Sequence, residues 1–523
     1  MKKIIVVLIA VWACGNAVFA QGIIPKPEKI VLKDGKFTLN GETKIVRATG
    51  AEKLNEAVVL LSGYLKGSCG MKLKVVKKTG ANTIVLDLAV KDLGLGKEGY
   101  MLDVSAGGVK ITANTKYGVL HGIQSLRQLV DASTEIPQMS VRDKPRYGWR
   151  GLMLDESRHF FGTGEVLKLL DRMAYYKLNR FHWHLTDAPG WRIEIKKYPK
   201  LTTVGAKGHH TDADAPARFY TQADIKKIVE YARVRGITVV PEIDMPGHAG
   251  AANRAYPEFS GGGSRRLPDF TFNPGKEATY AYLTDILTET AGLFPGRWLH
   301  YGGDEAHYGN AKWLTLPDVQ ARMKKSGYTT LLEIEHYFNR RMAGVISGLG
   351  KTTIGWDEVT ESGIKPSQAI VMWWRHNKPE ALDSALNKGF KVILCPRVPC
   401  YFDFVQHSSH KCGRRWKKKF GDLRGVHAFP EGLIDKYDKK AQAQIMGIQT
   451  CVWTEKIKEV KRLEFMTFPR LAALAEAAWT QKANKDYPDF QKRLKTHLKQ
   501  YDKWGIYYFN PFDPTAVKEP IGP

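Results

Sequence analysis

The sequence predicts an α/β protein in which a (β/α)8 TIM barrel follows a small α/β domain. Three observations lead to this fold class. The length of 523 residues suits one large domain with a companion. From Gly148 onward, apolar strand-like runs alternate with amphipathic helical stretches. Polar and aromatic residues come directly after these runs, where barrels of this kind carry their chemistry.

The chain begins with the three parts of an export signal. Met1–Lys3 is basic, Ile4–Ala13 is apolar, and Ala17–Ala20 offers small residues for cleavage. We therefore predict a signal peptide over 1–20 and an exported protein of the bacterial periplasm or the extracellular space. No other apolar run reaches about 18 residues, so we predict no transmembrane segment.

Cysteines bear on anchoring and on metal binding. Cys14 loosely fits a lipoprotein signal, but the bulky Trp12 beside the small Ala13 departs from that pattern, which makes anchoring the minor alternative. The cysteines after the signal are Cys69, Cys395, Cys400, Cys412 and Cys451. Their spacing matches no zinc site, and we expect no metal and no cofactor. Cys400 and Cys412 either close a loop or stay separate thiols.

The charge balance indicates a class of partner. The chain has 79 basic and 53 acidic side chains and a formal net charge of +26. The basic residues are mostly dispersed and no nucleic-acid-binding signature accompanies them, which argues against nucleic acid. For an exported protein this charge favours acidic or sulfated glycans. Oligomeric state is left open.

We predict an N-terminal α/β domain over residues 21–145. Its predicted strands are Lys72–Val76, Thr83–Leu88, Met101–Val104 and Val109–Ala113, and its helices lie near 52–66 and 116–130. Arg142–Arg146 is predicted to be the linker to the next domain.

The predicted barrel domain covers residues 146–523. Its candidate strands lie near 150–154, 179–185, 237–243, 298–302, 352–355, 369–373, 391–394 and 446–452. Thr221–Arg235 illustrates the helices between them: Thr221 can cap, and Asp224 stands at capping-box spacing. Gly236 is predicted to end that helix before the next strand.

Carboxylates and aromatic residues follow most of these strands. They are Asp155, His184 with Asp187, Asp244 with His248, Asp304 with Glu305, Trp356 with Asp357, Trp373 with Trp374, Tyr401 with Asp403, and Trp453 with Glu455. Sugars stack their C–H faces on aromatic rings, and their hydroxyls donate hydrogen bonds to carboxylates. The pattern therefore indicates a carbohydrate site.

The segment His300–Glu305 ends a predicted strand with two glycines and two adjacent carboxylates. The glycines permit a bend, so that Asp304 and Glu305 can reach one ligand. Glycoside hydrolysis needs an acid and a second group that stabilises the cationic sugar centre, and neighbouring carboxylates raise each other's pKa. By spacing alone, a solvated acidic turn would still be the better interpretation.

His300–Glu305 resembles the H-x-G-G-D-E signature of family 20 glycoside hydrolases, the β-N-acetylhexosaminidases. The similarity runs through most of residues 22–505. Segments that agree in order are Trp149–Asp155, His182–Asp187, Pro241–His248 and Trp453–Glu455.

The resemblance implies an exo-acting retaining enzyme that removes terminal β-linked GlcNAc or GalNAc. In this family the substrate's own 2-acetamido oxygen attacks the anomeric carbon and forms an oxazolinium intermediate. Asp304 would orient the acetamide and stabilise the positive charge. Glu305 would protonate the leaving oxygen and then activate water.

The resemblance also assigns the remaining site residues. Tyr401 would bind the acetamide oxygen, and Trp356, Trp374 and Trp453 would form aromatic walls. The positions that match binders of ring hydroxyls are Arg150, Asp187, Asp403 and Glu455. Asp244 and His248 would pair in support of Glu305, or form a buried ion pair that steadies a strand end. Trp373 and His182 are predicted to be core residues, and His209 and His210 loop residues.

Three alternatives compete with this interpretation, and the residues argue against one of them. A non-catalytic carbohydrate-binding protein could share the fold. A chitinase-like enzyme lacks support because no D-x-x-D-x-D-x-E run is present. A disaccharide-releasing relative would share the catalytic pair and differ in how the pocket is closed. The choice between GlcNAc and GalNAc, and the linkage cleaved, are left open.

The basic segment His407–Phe420 begins four residues after Asp403. In a barrel it would overhang the pocket mouth and attract an acidic leaving portion of the glycan, or be a solvated loop. Asp403 would repel a sulfate on the terminal sugar, which places the anion further out.

Overall fold

The computed structural model describes residues 22–48, 51–89, 91–417 and 419–521. The predicted signal peptide 1–20 and Cys14 lie outside the described residues. Within the described ranges, no helix is long and apolar enough to cross a membrane.

The N-terminal domain is a seven-stranded mixed sheet covered by two helices. Its strands are β1 (Lys29–Thr38), β2 (Lys44–Arg47), β3 (Lys74–Val76), β4 (Thr83–Asp87), β5 (Tyr100–Ser105), β6 (Gly108–Ala113) and β7 (Glu135–Asp143), in the order β1-β7-β5-β6-β4-β2-β3. The helices α1 (Asn55–Cys69) and α2 (Lys116–Ala132) bury their apolar faces against the sheet. Trp479 of the following domain completes this core.

Besides the strands named from the sequence, the sheet contains β1, β2 and β7, and the linker prediction needs a correction. Strand β1 was not predicted, because it is an edge strand whose residues are mostly exposed and include several lysines. The linker prediction is corrected at Arg142 and Asp143, which belong to β7 and pair with Lys29 and Tyr100. The connection to the next strand is therefore 144–148.

A closed eight-stranded barrel follows, and all eight predicted strands are present. They are β8 (Trp149–Asp155), β9 (Arg180–His184), β10 (Thr238–Met245), β13 (Trp298–Gly302), β14 (Thr352–Trp356), β15 (Ala369–Trp373), β16 (Lys391–Leu394) and β17 (Ile445–Val452), with a small hairpin of β11 (Ser260–Gly262) and β12 (Thr271–Phe272). The barrel pairs are parallel, so the strands' carboxyl ends meet at one rim.

Helices surround the barrel and bury its outer face. They are α3 (Thr163–Tyr175), α4 (Lys200–Thr203), α5 (Gln222–Val234), α6 (Gly250–Ala255), α7 (Glu277–Leu293), α8 (Pro317–Ser326), α9 (Leu331–Gly348), α10 (Pro379–Asn387), α11 (Arg397–Cys400), α12 (Leu423–Ala428), α13 (Lys439–Gln442), α14 (Val460–Thr467), α15 (Arg470–Trp479) and α16 (Tyr487–Trp504). The predicted capping box of Thr221 and Asp224 is confirmed at α5. Gly236 follows this helix with φ +75°, the left-handed conformation expected of a stop residue.

Candidate active site

A cavity of about 360 Å³ opens at the carboxyl ends of the barrel strands. Its volume lies near the lower end of small-molecule pockets, which span about 300–1,000 Å³. The lining residues are Arg158, His248, Asp304, Glu305, Trp374, Arg397, Tyr401, Asp403, Phe404, Arg414, Arg415, Trp416, Trp453 and Glu455. Acidic, basic and aromatic groups therefore meet in a space suited to one sugar ring.

The chain bends sharply after β13, as the glycines predicted. Gly302 and Gly303 have φ +73° and +89°, and Glu305 itself has φ +52°. A Cβ on Gly302 would lie 1.7 Å from an oxygen of Asp244, so no other residue fits there without displacing that carboxylate. The bend brings both Asp304 and Glu305 to the cavity.

Asp304 is buried with a carboxylate oxygen that has no protein partner. Burial raises its pKa to about 7, a shift that His248 opposes and Glu305 reinforces. Within the described part of the chain, Asp304 Oδ1 accepts no hydrogen bond. A substrate N–H group could satisfy this oxygen, and ionisation would then be favoured.

His248 lies between the catalytic candidates and a buried carboxylate. Its Nε2 is 3.6 Å from Asp304 Oδ2 and 3.7 Å from Glu305 Oε2. Its Nδ1 is 3.1 Å from Asp187 Oδ2. Burial lowers the pKa of His248, but the charges of Asp187 and Asp304 outweigh this and raise it to about 9. At neutral pH the imidazole is therefore a cation beside Asp304 and Glu305.

Aromatic rings form one side of the cavity. The rings of Trp374 and Tyr401 are nearly parallel, with centroids 6.4 Å apart, and Trp453 stands 6.1 Å from Tyr401. Trp356 lies beneath them with 1% of its surface exposed, and its Nε1 donates to Glu242 Oε1 at 2.9 Å. Trp356 thus supports the walls from below.

Family models match almost the whole described chain. The model described as glycosyl hydrolase family 20, catalytic domain, matches residues 147–482, and the model of the family's domain 2 matches residues 20–144. The chain belongs to glycosyl hydrolase family 20.

Named relatives and solved structures agree with this membership. A beta-hexosaminidase of Porphyromonas gingivalis is 35% identical over 94% of this chain, which spans 64% of that relative's length. A beta-N-acetylhexosaminidase of Cellulomonas fimi is 32% identical, covering 92% of this chain and 95% of the relative. An exo beta-N-acetylglucosaminidase of Vibrio harveyi, solved with N-acetylglucosamine, has TM-score 0.86 and 33% identity, covering 94% of this chain and 79% of that chain.

One predicted binding residue of this family 20 hydrolase lies far from the cavity. Arg150 is 0% exposed at the amino end of β8, where its Nη2 contacts Glu98 Oε1 of the N-terminal domain at 2.7 Å. Its other donors reach Tyr147 O and Lys177 O. The predicted contact of Arg150 with ring hydroxyls is therefore wrong, because the side chain is at the opposite end of the strand.

Arg158 occupies the position at the cavity that was predicted for Arg150. It follows the carboxyl end of β8, lines the cavity, and places Nη2 2.5 Å from Asp187 Oδ2. Asp155 fixes this turn by accepting hydrogen bonds from the backbone of Ser157, Arg158 and Thr454. The sequence does contain a signal for Arg158. It comes three residues after Asp155, at the carboxyl end of the strand where barrel sites lie, whereas Arg150 stands near the amino end.

The predicted roles of Asp187 and Asp244 are also corrected. Asp187 is buried and its oxygens engage Arg158, His184 and His248, so it supports the site without lining it. The carboxylate partner of His248 is thus Asp187, and not Asp244 as predicted. Asp244 faces Asp304, and burial together with that neighbouring charge raises the pKa of Asp244 well above its usual range.

A buried network lies below the catalytic bend. Glu242 is surrounded by His182, His184 and His300, with nitrogen to oxygen distances of 2.9, 2.5 and 2.9 Å. The prediction that His182 is a core residue is confirmed, since its side chain is buried. Since Glu242 also accepts from Trp356, this network links the barrel interior to the aromatic walls.

Asp403 and Glu455 line the cavity beside Arg414. Arg414 Nε is 3.1 Å from Asp403 Oδ2, and its Nη2 donates to Glu455 Oε1 at 2.6 Å. Arg414 belongs to the basic segment His407–Phe420, and its half-exposed side chain reaches both carboxylates of the cavity.

The cavity lining also includes groups that were not predicted from the sequence. Arg397 stacks between the rings of Trp374 and Trp416, at 4.8 and 4.2 Å. Arg415 lies next to them in the lining. Trp373 is packed in the barrel core, as predicted, and Cys400 and Cys412 are separate thiols.

Proposed function

We propose that this family 20 hydrolase is an exo-acting retaining β-N-acetylhexosaminidase that removes terminal non-reducing β-linked GlcNAc or GalNAc. The observation that carries the proposal is the placement of Asp304 and Glu305 side by side in a cavity with aromatic walls. A purely carbohydrate-binding protein would need the aromatic walls but not this bent carboxylate pair.

The geometry suits substrate-assisted cleavage. The unpartnered Oδ1 of Asp304 accepts from the acetamide N–H and holds the acetamide oxygen close to the anomeric carbon. That oxygen attacks, and Glu305 gives its proton to the leaving glycosidic oxygen. The carboxylate of Asp304 stabilises the oxazolinium ion. Glu305 then takes a proton from water, which opens the ring with retention of configuration.

The position of Arg414 beside Asp403 and Glu455 supports exo action over release of disaccharides. Arg414 is joined to both Asp403 and Glu455 and occupies the space beside them. A second sugar beyond the terminal one would have to displace this cation. The small cavity volume points the same way.

The test uses p-nitrophenyl β-glycosides of GlcNAc and GalNAc together with natural disaccharides. We expect release of monosaccharide with retained configuration. Glu305→Gln should lower turnover of the disaccharide by about a hundredfold or more, and that of the activated aryl glycosides much less, because only the former needs the proton. Equal losses on both substrates would contradict the acid role, and an inactive native protein would point to the binding-only alternative.

The proposal extends to location and natural substrate. The signal-like residues 1–20 support export to the periplasm or beyond. Arg397, Arg415 and Trp416 at the mouth, with a net charge of +26, support an acidic or sulfated portion on the leaving side of the glycan.

A further inference from the structure

Two carboxylates in the lining of the cavity can accept further hydrogen bonds. Asp403 and Glu455 both line the cavity, and their Oδ1 and Oε2 atoms are buried without a hydrogen-bond partner among the described residues. Such acceptors are costly unless a ligand satisfies them, at about 1–3 kcal/mol each. Sugar hydroxyls are donors of the right kind.

Two buried carboxylates that face one space also repel each other. Burial raises the pKa of Asp403 to about 7, because it outweighs the opposing charge of Arg414 and is reinforced by Glu455. The Arg414 guanidinium bridges the pair, because Nε faces one carboxylate and Nη2 the other. It neutralises part of their charge, and it leaves Glu455 Oε2 and both oxygens of Asp403 without a hydrogen-bond donor among the described residues.

The backbone places Arg414 with little freedom. Its N–H donates to Asp403 O at 3.0 Å, and its carbonyl accepts from Val405 N at 3.1 Å. Gly413 precedes it with φ +115°, and a Cβ there would lie 2.8 Å from a methyl group of Val405. Only glycine therefore allows this approach of the loop to the strand end.

A clamp from the C-terminal segment holds the loop immediately before Gly413. Glu519 accepts from the backbone N–H groups of Lys411 and Cys412, at 2.6 and 3.0 Å. Arg462, which is 1% exposed in α14, donates to Glu519 Oε1 at 2.8 Å and to Cys412 O at 2.6 Å. Its Nη1 also reaches Pro520 O. One buried cation thus fastens both the tail and the loop.

We infer that Arg414 is a positioning residue that holds Asp403 and Glu455 as acceptors for the terminal sugar's hydroxyls, and that Glu519 secures Arg414 through the loop. The inference rests on the proposed hexosaminidase function. It makes the C-terminal segment a part of the sugar-binding site, although Glu519 does not line the cavity.

Steady-state kinetics on p-nitrophenyl β-GlcNAc test the role of Arg414. Arg414→Ala should raise KM about ten- to hundredfold, as expected for weakened hydrogen bonds to charged groups, and change kcat less than threefold. Arg414→Lys should recover part of the loss because it keeps the charge. Lys411→Ala is the matched control, since it removes a loop cation whose backbone N–H still reaches Glu519; its KM should not change.

A double-variant cycle tests the clamp. Glu519→Ala should raise KM with kcat unchanged, and Arg414→Ala/Glu519→Ala should be no worse than Arg414→Ala alone, because Glu519 acts through Arg414. Additive effects would overturn the clamp. An unchanged KM, or an equal loss of kcat and kcat/KM, would overturn the role of Arg414. A loss of activity seen only with the 6-sulfated GlcNAc glycoside would also overturn this role, because Arg414 would then bind an anion on the substrate.

Urea midpoints of all variants separate misfolding from the kinetic effects. If the native protein does not hydrolyse the aryl glycoside, the proposed function is contradicted, and the inference about Arg414 must be tested by binding alone. Calorimetric binding of GlcNAc then decides the inference, which expects weaker binding in Arg414→Ala and native affinity in Lys411→Ala.

Discussion

Two arginines near opposite ends of one barrel strand show how differently the two ends of the barrel are built. Arg150 lies near the amino end of β8 and donates hydrogen bonds to Glu98 and to two backbone carbonyls inside the protein. Arg158 lies beyond the other end of β8 and faces the cavity from a cluster of carboxylates. The amino end joins two domains, whereas the carboxyl end holds charged groups ready for a ligand.

The carboxyl end retains buried polar atoms that the protein leaves unpaired. They include Asp244 Oδ1, His248 Nε2, Asp304 Oδ1, Asp403 Oδ1 and Glu455 Oε2, within the described residues. Each such atom costs stability that a bound sugar could return. Substitutions at this end should therefore affect turnover, and those at the other end should affect folding.

The largest expected effect is that of Asp304→Asn. The amide keeps the size of the side chain but loses the charge that stabilises the cationic intermediate, so kcat on N-acetyl substrates should fall by about 10²–10³-fold. The urea midpoint should stay native or rise, because a buried charge is removed. Near-normal turnover would remove Asp304 from the mechanism.

Asp143→Asn is the matched change at the other end of the barrel. Asp143 is buried against Lys177 Nζ at 3.1 Å and Trp479 Nε1 at 2.8 Å. We expect a lower urea midpoint with kcat preserved in the folded fraction. A loss of kcat comparable to that of Asp304→Asn would break the comparison between the two ends.

The arginine pair gives the second prediction. Arg150→Met should lower the free energy of unfolding by about 3–5 kcal/mol, because Glu98 loses its buried partner, and leave KM unchanged. Arg158→Met should instead raise KM, with a smaller loss of stability. Chemical denaturation and kinetics on both variants check this. A KM effect at Arg150 would restore its predicted place in the binding site.

The barrel could be predicted because its signals are local. Each of the eight strands is a short apolar run with helical segments between the strands. The two glycines before Asp304 predicted the bend of the chain there. Strand β1 could not be found in this way, since lysines and exposed positions interrupt its apolar pattern. Its partner is β7, about a hundred residues later in the chain, and the residues of β1 alone do not indicate this pairing.

The wrong predictions about site residues have one common cause. A motif fixes which residues stand near a strand, but not which way each side chain turns. Arg150 and Arg158 belong to one segment, and only their distance from the strand end separates them. Asp187 and Asp244 both flank His248, and the contact with Nδ1 depends on loop geometry. Arg414 was hidden in a basic run, because its partners lie on other loops.

The third prediction is the pH dependence of kcat/KM. Asp304 must be ionised, and burial raises its pKa to about 7, so activity should fall about tenfold per unit below that pH. His248 lowers this pKa, while the charges of Glu305 and Glu242 raise it. His248→Gln should therefore move the acid limb to higher pH. An acid limb that stays in place would show that another group controls it.

The smallest expected effect concerns the exposed cations of the basic segment. Arg415, Lys417 and Lys419 would be changed together to Gln, with Arg414 left intact because it is paired inside the cavity. His410 is buried against Phe465 and Phe509, so the segment is anchored and presents these cations near the mouth. Lys418 lies outside the described residues.

At low salt, this triple variant should lose about two- to fivefold in kcat/KM on oligosaccharides sulfated beyond the terminal sugar, because each exposed charge pair contributes little. The native enzyme should lose the same preference in high salt, because ions screen these charges. The unsulfated oligosaccharide is the control and should respond to neither change. Equal responses of both substrates would mean that the loop's charge acts through stability and does not recognise an anion.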